Sequence, residues 1–208
     1  MAKEKETPVT VNPTNMITSE VRFSYCRLFE PALNPSGVLK YSACLLLSKD
    51  NVAEKKRWDA AIEAAIKVGI DKGKFTANQK PILKLPIRDG DKELATEQKK
   101  GDEYKNMWFV NASANADSPP EITKPQGGLA VPILDPKEFY SGCYGRAIVS
   151  FYPFAEGGSK GVAVAINGVY KTKEGDRLDG RVSATSAFAA FAEEDSAAED
   201  DGEGADFS

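Results

Sequence analysis

The chain has 208 residues, of which 41% are hydrophobic and 28% charged, with a formal net charge of −4 and no histidine. This composition predicts a soluble globular body of one ordinary domain, and no apolar run approaches the roughly 20 residues needed to cross a bilayer. With no His and no CxxC pair, a conventional zinc site and a His-based acid or base are both excluded, and no metal or other cofactor is expected. The opening "MAKEKETPVTVNPTNM" lacks an apolar signal region, so residues 1–16 read as a flexible segment of a cytoplasmic protein. Cys26, Cys44 and Cys143 lie far apart in sequence, which fits reduced, buried thiols better than a disulfide framework.

Residues 17–29, "ITSEVRFSYCRLF", are rich in β-favouring types, and alternation puts Val21, Phe23, Tyr25, Arg27 and Phe29 on one face of a strand. Pro31, Asn34, Pro35 and Gly37 then predict a turn, and "LKYSACLLLSK" returns as a second strand whose centre, Cys44 to Leu47, is buried on both faces. From Asn51 the period changes. Trp58, Ile62, Ile66 and Ile70 recur every four residues, Asn51 followed by Glu54 has the form of a capping box, and Gly73 sits at a C-terminal cap position. One helix from about Val52 to Lys72 is expected. The polar stretch "LPIRDGDKELATEQKKGDEYKN" reads as a mobile loop or protruding hairpin. After it, "YKNMWFVNAS" is strand-like, Pro119, Pro120, Pro125, Gly127 and Gly128 break the chain, and "GRAIVSFYPF" and "GVAVAINGVYK" form two strands joined by "AEGGSKG". Five or six mostly antiparallel strands with one substantial helix predict a mainly β fold: an OB-type Greek-key barrel with long loops, over residues 17–182.

Catalytic signals are weak. Asp89, Asp91 and Glu93 could hold Mg2+, but they sit in a Lys-rich stretch around Gly90 and read better as loop acids. "GGSKG" lacks the spacing and strand-to-helix context of a phosphate-binding loop and reads as a hairpin turn. The chain is therefore not expected to be an enzyme. What recurs is basic residues interleaved with aromatics on strands: Arg22, Tyr25 and Arg27 on the first, Lys40 and Tyr41 on the second, Lys105 and Trp108 on the third, then Tyr144, Arg146 and Tyr152. Binders of single-stranded nucleic acid use this mixture, because bases stack on aromatic faces while Lys and Arg track phosphates, and neither contact depends on base identity. Aromatics on strands also build cores, and alternate residues face opposite ways, so about half of these rings are expected to be structural. Tyr25, Trp108 and Tyr152 are the preferred stacking candidates.

"EFYSGCYGRAIVSFYPF" followed by "KGVAVAINGVYKTKEGDRLDGR" resembles a family of bacteriophage single-stranded DNA-binding proteins, and "VRFSYCRLFEP" and "LKYSACLLLSK" resemble that family's first two strands. The resemblance runs from about Ile17 to Arg181. It implies an OB-type barrel, sequence-independent binding of single strands in phage replication or recombination, and an acidic C-terminal tail; the host cytoplasm is the expected compartment and duplex DNA an expected weak partner.

All 27 Lys and Arg residues lie at or before Arg181, while eight of the 31 acids follow Ala192, so a body of about +4 carries a strongly acidic end. Residues 183–208 are predicted to be a linker and disordered tail. Asp200, Asp201, Glu203, Asp206 and Phe207 are its candidate partner-binding residues, and the tip Asp206, Phe207, Ser208 resembles the acidic-aromatic tips of phage and bacterial single-strand binders. Such a tail can compete with DNA for the basic body and recruit replication or recombination proteins. The other reading is a non-enzymatic interaction module of the same fold that docks a basic partner through this tail.

Overall fold

Alternation over residues 17–29 does produce strand, but in two pieces separated by a corner. In the computed structural model, which describes residues 12–99 and 101–178, β1 (Asn15–Ile17) lies against β8 (Tyr144–Glu156), so Asn15 and Met16 already belong to the sheet. At the corner, Thr18 exchanges hydrogen bonds with Ala147: its N–H donates to the carbonyl at 2.9 Å, and its Oγ1 accepts from the Ala147 N–H at 2.9 Å. The chain then enters β2 (Val21–Leu33), which continues past Pro31 although its pairing register shifts between Arg27 and Ala32. The turn comes later, where the Asn34 side chain accepts from the N–H groups of Ser36 and Val38 and Gly37 takes a φ of 75°.

The β2 and β3 (Leu39–Ser48) pair contains a bulge that corrects the expected face assignment. Ser24 is opposite Cys44 and Arg27 opposite Ser42, so Tyr25 and Cys26 together face the single residue Ala43. Tyr25, the extra residue, has a φ of 50°. Val21 and Phe23 point into the core as expected, but the inserted residue flips the pleat and sends Tyr25 and Arg27 outward.

Helix α1 (Val52–Asp71) starts where Asn51 Oδ1 accepts the Glu54 N–H at 3.1 Å. The reciprocal half of the capping box is absent, because the Glu54 side chain turns inward. Its Oε1 accepts from the Ser19 N–H and from Trp58 Nε1, both at 2.9 Å, while Arg57 Nη1 donates to Oε2 at 2.5 Å. Trp58, Ile62 and Ile66 complete the core with Phe23, Leu45, Leu47, Val110, Val149, Phe151, Val164 and Ile166. Near the helix end only glycine fits at position 69, since a Cβ there would lie 2.2 Å from the Phe75 ring and 2.8 Å from Pro153.

The charge-dense stretch after the helix is packed structure. It forms β4 (Arg88–Asp89), α2 (Gly90–Ala95) and a single 3-10 turn at Asp102–Tyr104, ahead of β5 (Met107–Asn115). The reason is one aromatic: Tyr104 is fully buried against Phe109, Cys44 and Leu46, with its ring edge-on to Phe109 at 5.1 Å. The acids here are structural. Asp89 caps α2 and, with Asp91, pairs Lys49 at 2.6 Å; Asp91 also accepts the Asn106 N–H, and Glu93 accepts from Arg88 Nε at 2.6 Å. Lys49 holds both aspartate carboxyls below their ordinary range. Among the described residues no group of His, Cys, Asp or Glu is arranged to hold a metal.

The Pro- and Gly-rich segment forms a hairpin, β6 (Glu121–Gln126) and β7 (Leu129–Pro132), turned by Gly127 and Gly128. β8 and β9 (Ser159–Lys173) make the long final hairpin. The order is β1-β8-β2-β3-β5-β9-β6-β7, and because β8 pairs with both β2 and β9 the path β2-β3-β5-β9-β8 closes on itself. β5 and β9 run parallel within it. That connectivity is the OB-type Greek-key barrel, mainly β with one substantial helix. Glu193 onward, with Asp200, Asp201, Glu203, Asp206 and Phe207, lies outside the described residues. No described helix is long and apolar enough to cross a membrane.

Candidate nucleic-acid interface

An open groove of about 560 Å³ runs over the outer face of β2, β3 and β5 and the β2–β3 turn. In OB-type barrels this sheet face and this turn commonly receive oligonucleotides. Tyr25, Arg27 and Lys40 line it together with Ser42, Asn111 and Ser113, and none of its lining residues is Asp or Glu. Tyr25 is 56% exposed, aimed outward by the bulge. Among the described residues Lys40 Nζ is held only by Asn115 Oδ1 at 3.1 Å, and neither Arg27 nor Lys40 forms an ion pair. Two cations without counter-ions among the described residues share the groove with an exposed ring, the hydroxyls and amides of Ser42, Ser113, Asn34 and Asn111, and the apolar side chains of Ala32, Leu33, Pro35 and Ala43. Such a surface offers charge to phosphates, a π-face to a base and neutral hydrogen-bonding groups to either.

The other seven sequence candidates lie elsewhere. Tyr41 is only 9% exposed and opposite Ala114, so it offers no free face. Arg22 donates to the carbonyls of Gly142 at 3.3 Å and Asp176 at 2.9 Å, fastening β2 to the end of the described chain. Its guanidinium lies 5.5 Å from the Tyr144 ring, which Lys173 approaches at 4.4 Å from its own ion pair with Glu20. Arg146 is exposed on β8, with Nη1 3.4 Å from the Thr18 carbonyl. Lys105 pairs Asp102 at 2.8 Å. Trp108 sits on the core side of β5 with Val110 and Ala112, its ring 5.3 Å from Lys55 Nζ beside a separate cavity of about 330 Å³ that includes Asp59, Glu63 and Asp89. Tyr152 is 39% exposed on the outside of β8, opposite Ala163, and burial of its hydroxyl raises the pKa.

Sequence pattern missed Asn111 and Ser113, although polar residues at alternate positions after Phe109 mark a solvent-facing edge. Burial pushes the Cys26 thiol up to about 12 and the Cys44 thiol up to about 11, so both stay protonated at neutral pH.

The fold is shared with solved phage proteins. The single-stranded DNA-binding protein of bacteriophage Enc34, solved in complex with ssDNA, superposes with a TM-score of 0.63 at 22% identity, covering 79% of this chain and 89% of that one. A second structure of the Enc34 protein gives a TM-score of 0.60 at 26% identity, covering 84% and 90%. In sequence, protein p50 of Acyrthosiphon pisum secondary endosymbiont phage 1 is 29% identical over 167 residues, 78% of this chain and 85% of p50. The model of one protein family matches residues 14–201, nearly the whole chain, and its description is "Enterobacter phage Enc34, ssDNA-binding protein". With the barrel, the groove and this match together, the chain belongs to the Enc34 family of phage single-stranded DNA-binding proteins.

Proposed function

We propose that this protein coats single-stranded DNA during phage replication or recombination, leading the strand through the β2–β3–β5 groove without regard to sequence. Tyr25 stacks a base, Arg27 and Lys40 meet phosphates, and Ser42, Asn111 and Ser113 hydrogen-bond the backbone or the base edges. The observation that carries this reading is the groove itself, which joins an exposed ring to two cations that form no ion pair among the described residues and has no carboxylate in its lining. Sequence independence follows from the chemistry, since every base has a π-face and every nucleotide a phosphate. Each neutralised phosphate adds about 0.7 to the magnitude of the salt slope for a single strand. The double variant Arg27→Ala/Lys40→Ala is therefore expected to lower that magnitude by about 1.4, equally for oligothymidylate and mixed sequences. A parental slope would remove the groove from the DNA path.

The acidic end completes the proposal. Eight acids and no base follow Ala192, and they can act as an internal polyanion on the basic body while Phe207 docks replication or recombination partners. Deleting residues 193–208 should raise single-strand affinity at low salt, with the gain shrinking as ionic strength rises. Phe207→Ala removes no charge and should leave DNA affinity unchanged while weakening partner binding. Equal affinities of full-length and truncated protein at every salt concentration would leave the acidic end as a solubilising terminus.

A further inference from the structure

We infer that Lys99 is a third phosphate-binding cation of the groove and the side chain that sets the angle of the Tyr25 ring; this rests on the groove being the path of the strand. Lys99 Nζ lies 4.8 Å from the Tyr25 ring centroid, 5.2 Å from Tyr104 and 5.7 Å from Phe109. Two of these rings are fixed, because Tyr104 and Phe109 are fully buried and packed edge to face. The third is the exposed ring of the groove. Lys99 thus ties a free aromatic to a rigid aromatic corner.

What the ammonium lacks is equally informative. Lys49, Lys55, Lys80, Lys105, Lys124, Lys171 and Lys173 each pair with a carboxylate, whereas among the described residues Lys99 forms no ion pair. Ring faces attract a cation through their quadrupoles without neutralising it. The full positive charge therefore stays beside the ring of Tyr25, which lines the groove. The Lys99 N–H donates to the Glu93 carbonyl at 3.2 Å, which anchors this stem to the end of α2. A base stacked on the open face of Tyr25 brings its phosphate within reach of this charge, so stacking and phosphate contact reinforce each other through one side chain.

The test uses the full chain with oligothymidylate across a salt series. Lys99→Met keeps the unbranched stem and removes the charge; it should weaken binding and lower the salt-slope magnitude by about 0.7, whereas Lys99→Arg should restore the parental slope. In addition, Tyr25→Ala should cost at least about 2-fold less affinity in the Lys99→Met background than in the parent, because the ring is no longer held. A merely structural lysine would shift the melting temperature and leave both readouts alone. A parental slope in Lys99→Met, or effects at the two positions that simply multiply, overturns the inference. If Arg27→Ala/Lys40→Ala still lowers the slope in that series, the groove stands without Lys99. Parental slopes in every variant would overturn groove and lysine together.

Discussion

Replacing Tyr25 by Ala is expected to weaken binding of oligothymidylate roughly 5- to 150-fold, the ~1–3 kcal/mol of one base stacked on one ring. Fold loss does not confound this substitution, because the side chain is mostly exposed and sits on a bulge rather than in the core. Its backbone supplies a further check. At a φ of 50° an L side chain is strained, so Tyr25→Gly should be more stable than Tyr25→Ala by about 1 kcal/mol, the reverse of the usual order within a strand. Both variants lack the ring and should lose the same affinity. If affinity instead followed stability across the pair, the ring would have no direct part in binding. Trp108 provides the contrast: it packs on the core side of β5, so Trp108→Ala should lower the melting temperature with little change in affinity. A folded Trp108→Ala protein that loses affinity as Tyr25→Ala does would move the stacking site to the other side of the sheet.

Glu54→Ala is expected to destabilise the fold by about 3 kcal/mol, corresponding to about 6–12 °C in melting temperature for a chain of this size. The carboxylate is buried, yet both its oxygens accept, from a helix arginine, the indole N–H of the largest core side chain and the backbone at the β1–β2 corner. Removing it strands the buried Trp58 indole N–H away from water and takes the acceptor from the Ser19 N–H at the part-buried corner. Glu54→Gln retains an acceptor oxygen for both and should cost less than half as much. Urea titration monitored by Trp fluorescence reads the difference, and parental stability in Glu54→Ala would refute the clamp.

The barrel strands and the helix were legible because their periods are clean. Trp58, Ile62 and Ile66 repeat at helical spacing, and the strands of the final hairpin carry long β-favouring runs. Short edge strands were not legible, since β1, β4 and the β6–β7 hairpin owe their conformation to pairing with β8, β5 and β9 rather than to any pattern of their own. The packed segment around α2 is hidden by its charges, several of which are held in ion pairs (Arg88 with Glu93, Asp102 with Lys105, and Asp89 and Asp91 with Lys49), while its anchor is the single residue Tyr104. Tyr25, Arg27 and Lys40, which the groove brings together, stand out in the sequence as basic residues interleaved with aromatics. Strict alternation nevertheless placed the first two on the face of Phe23, because a one-residue bulge leaves no mark in composition. Trp108 and Tyr25 looked equivalent in sequence, and only the register of β5 against β3 separates them, setting Trp108 beside Leu47 on the core side.

The central claim is that single-stranded DNA lies across β2, β3 and β5. Photo-crosslinking with oligothymidylate carrying 4-thiothymidine, followed by peptide mapping, tests it most directly. Crosslinks are expected in the peptide containing Tyr25 and Arg27 and in the peptides of β3 and β5 that line the groove, and they should disappear on competition with unmodified oligothymidylate. Competed crosslinks confined to the Trp108 cavity or to the outer face of β8 around Tyr152, with none in β2 or β3, would contradict it.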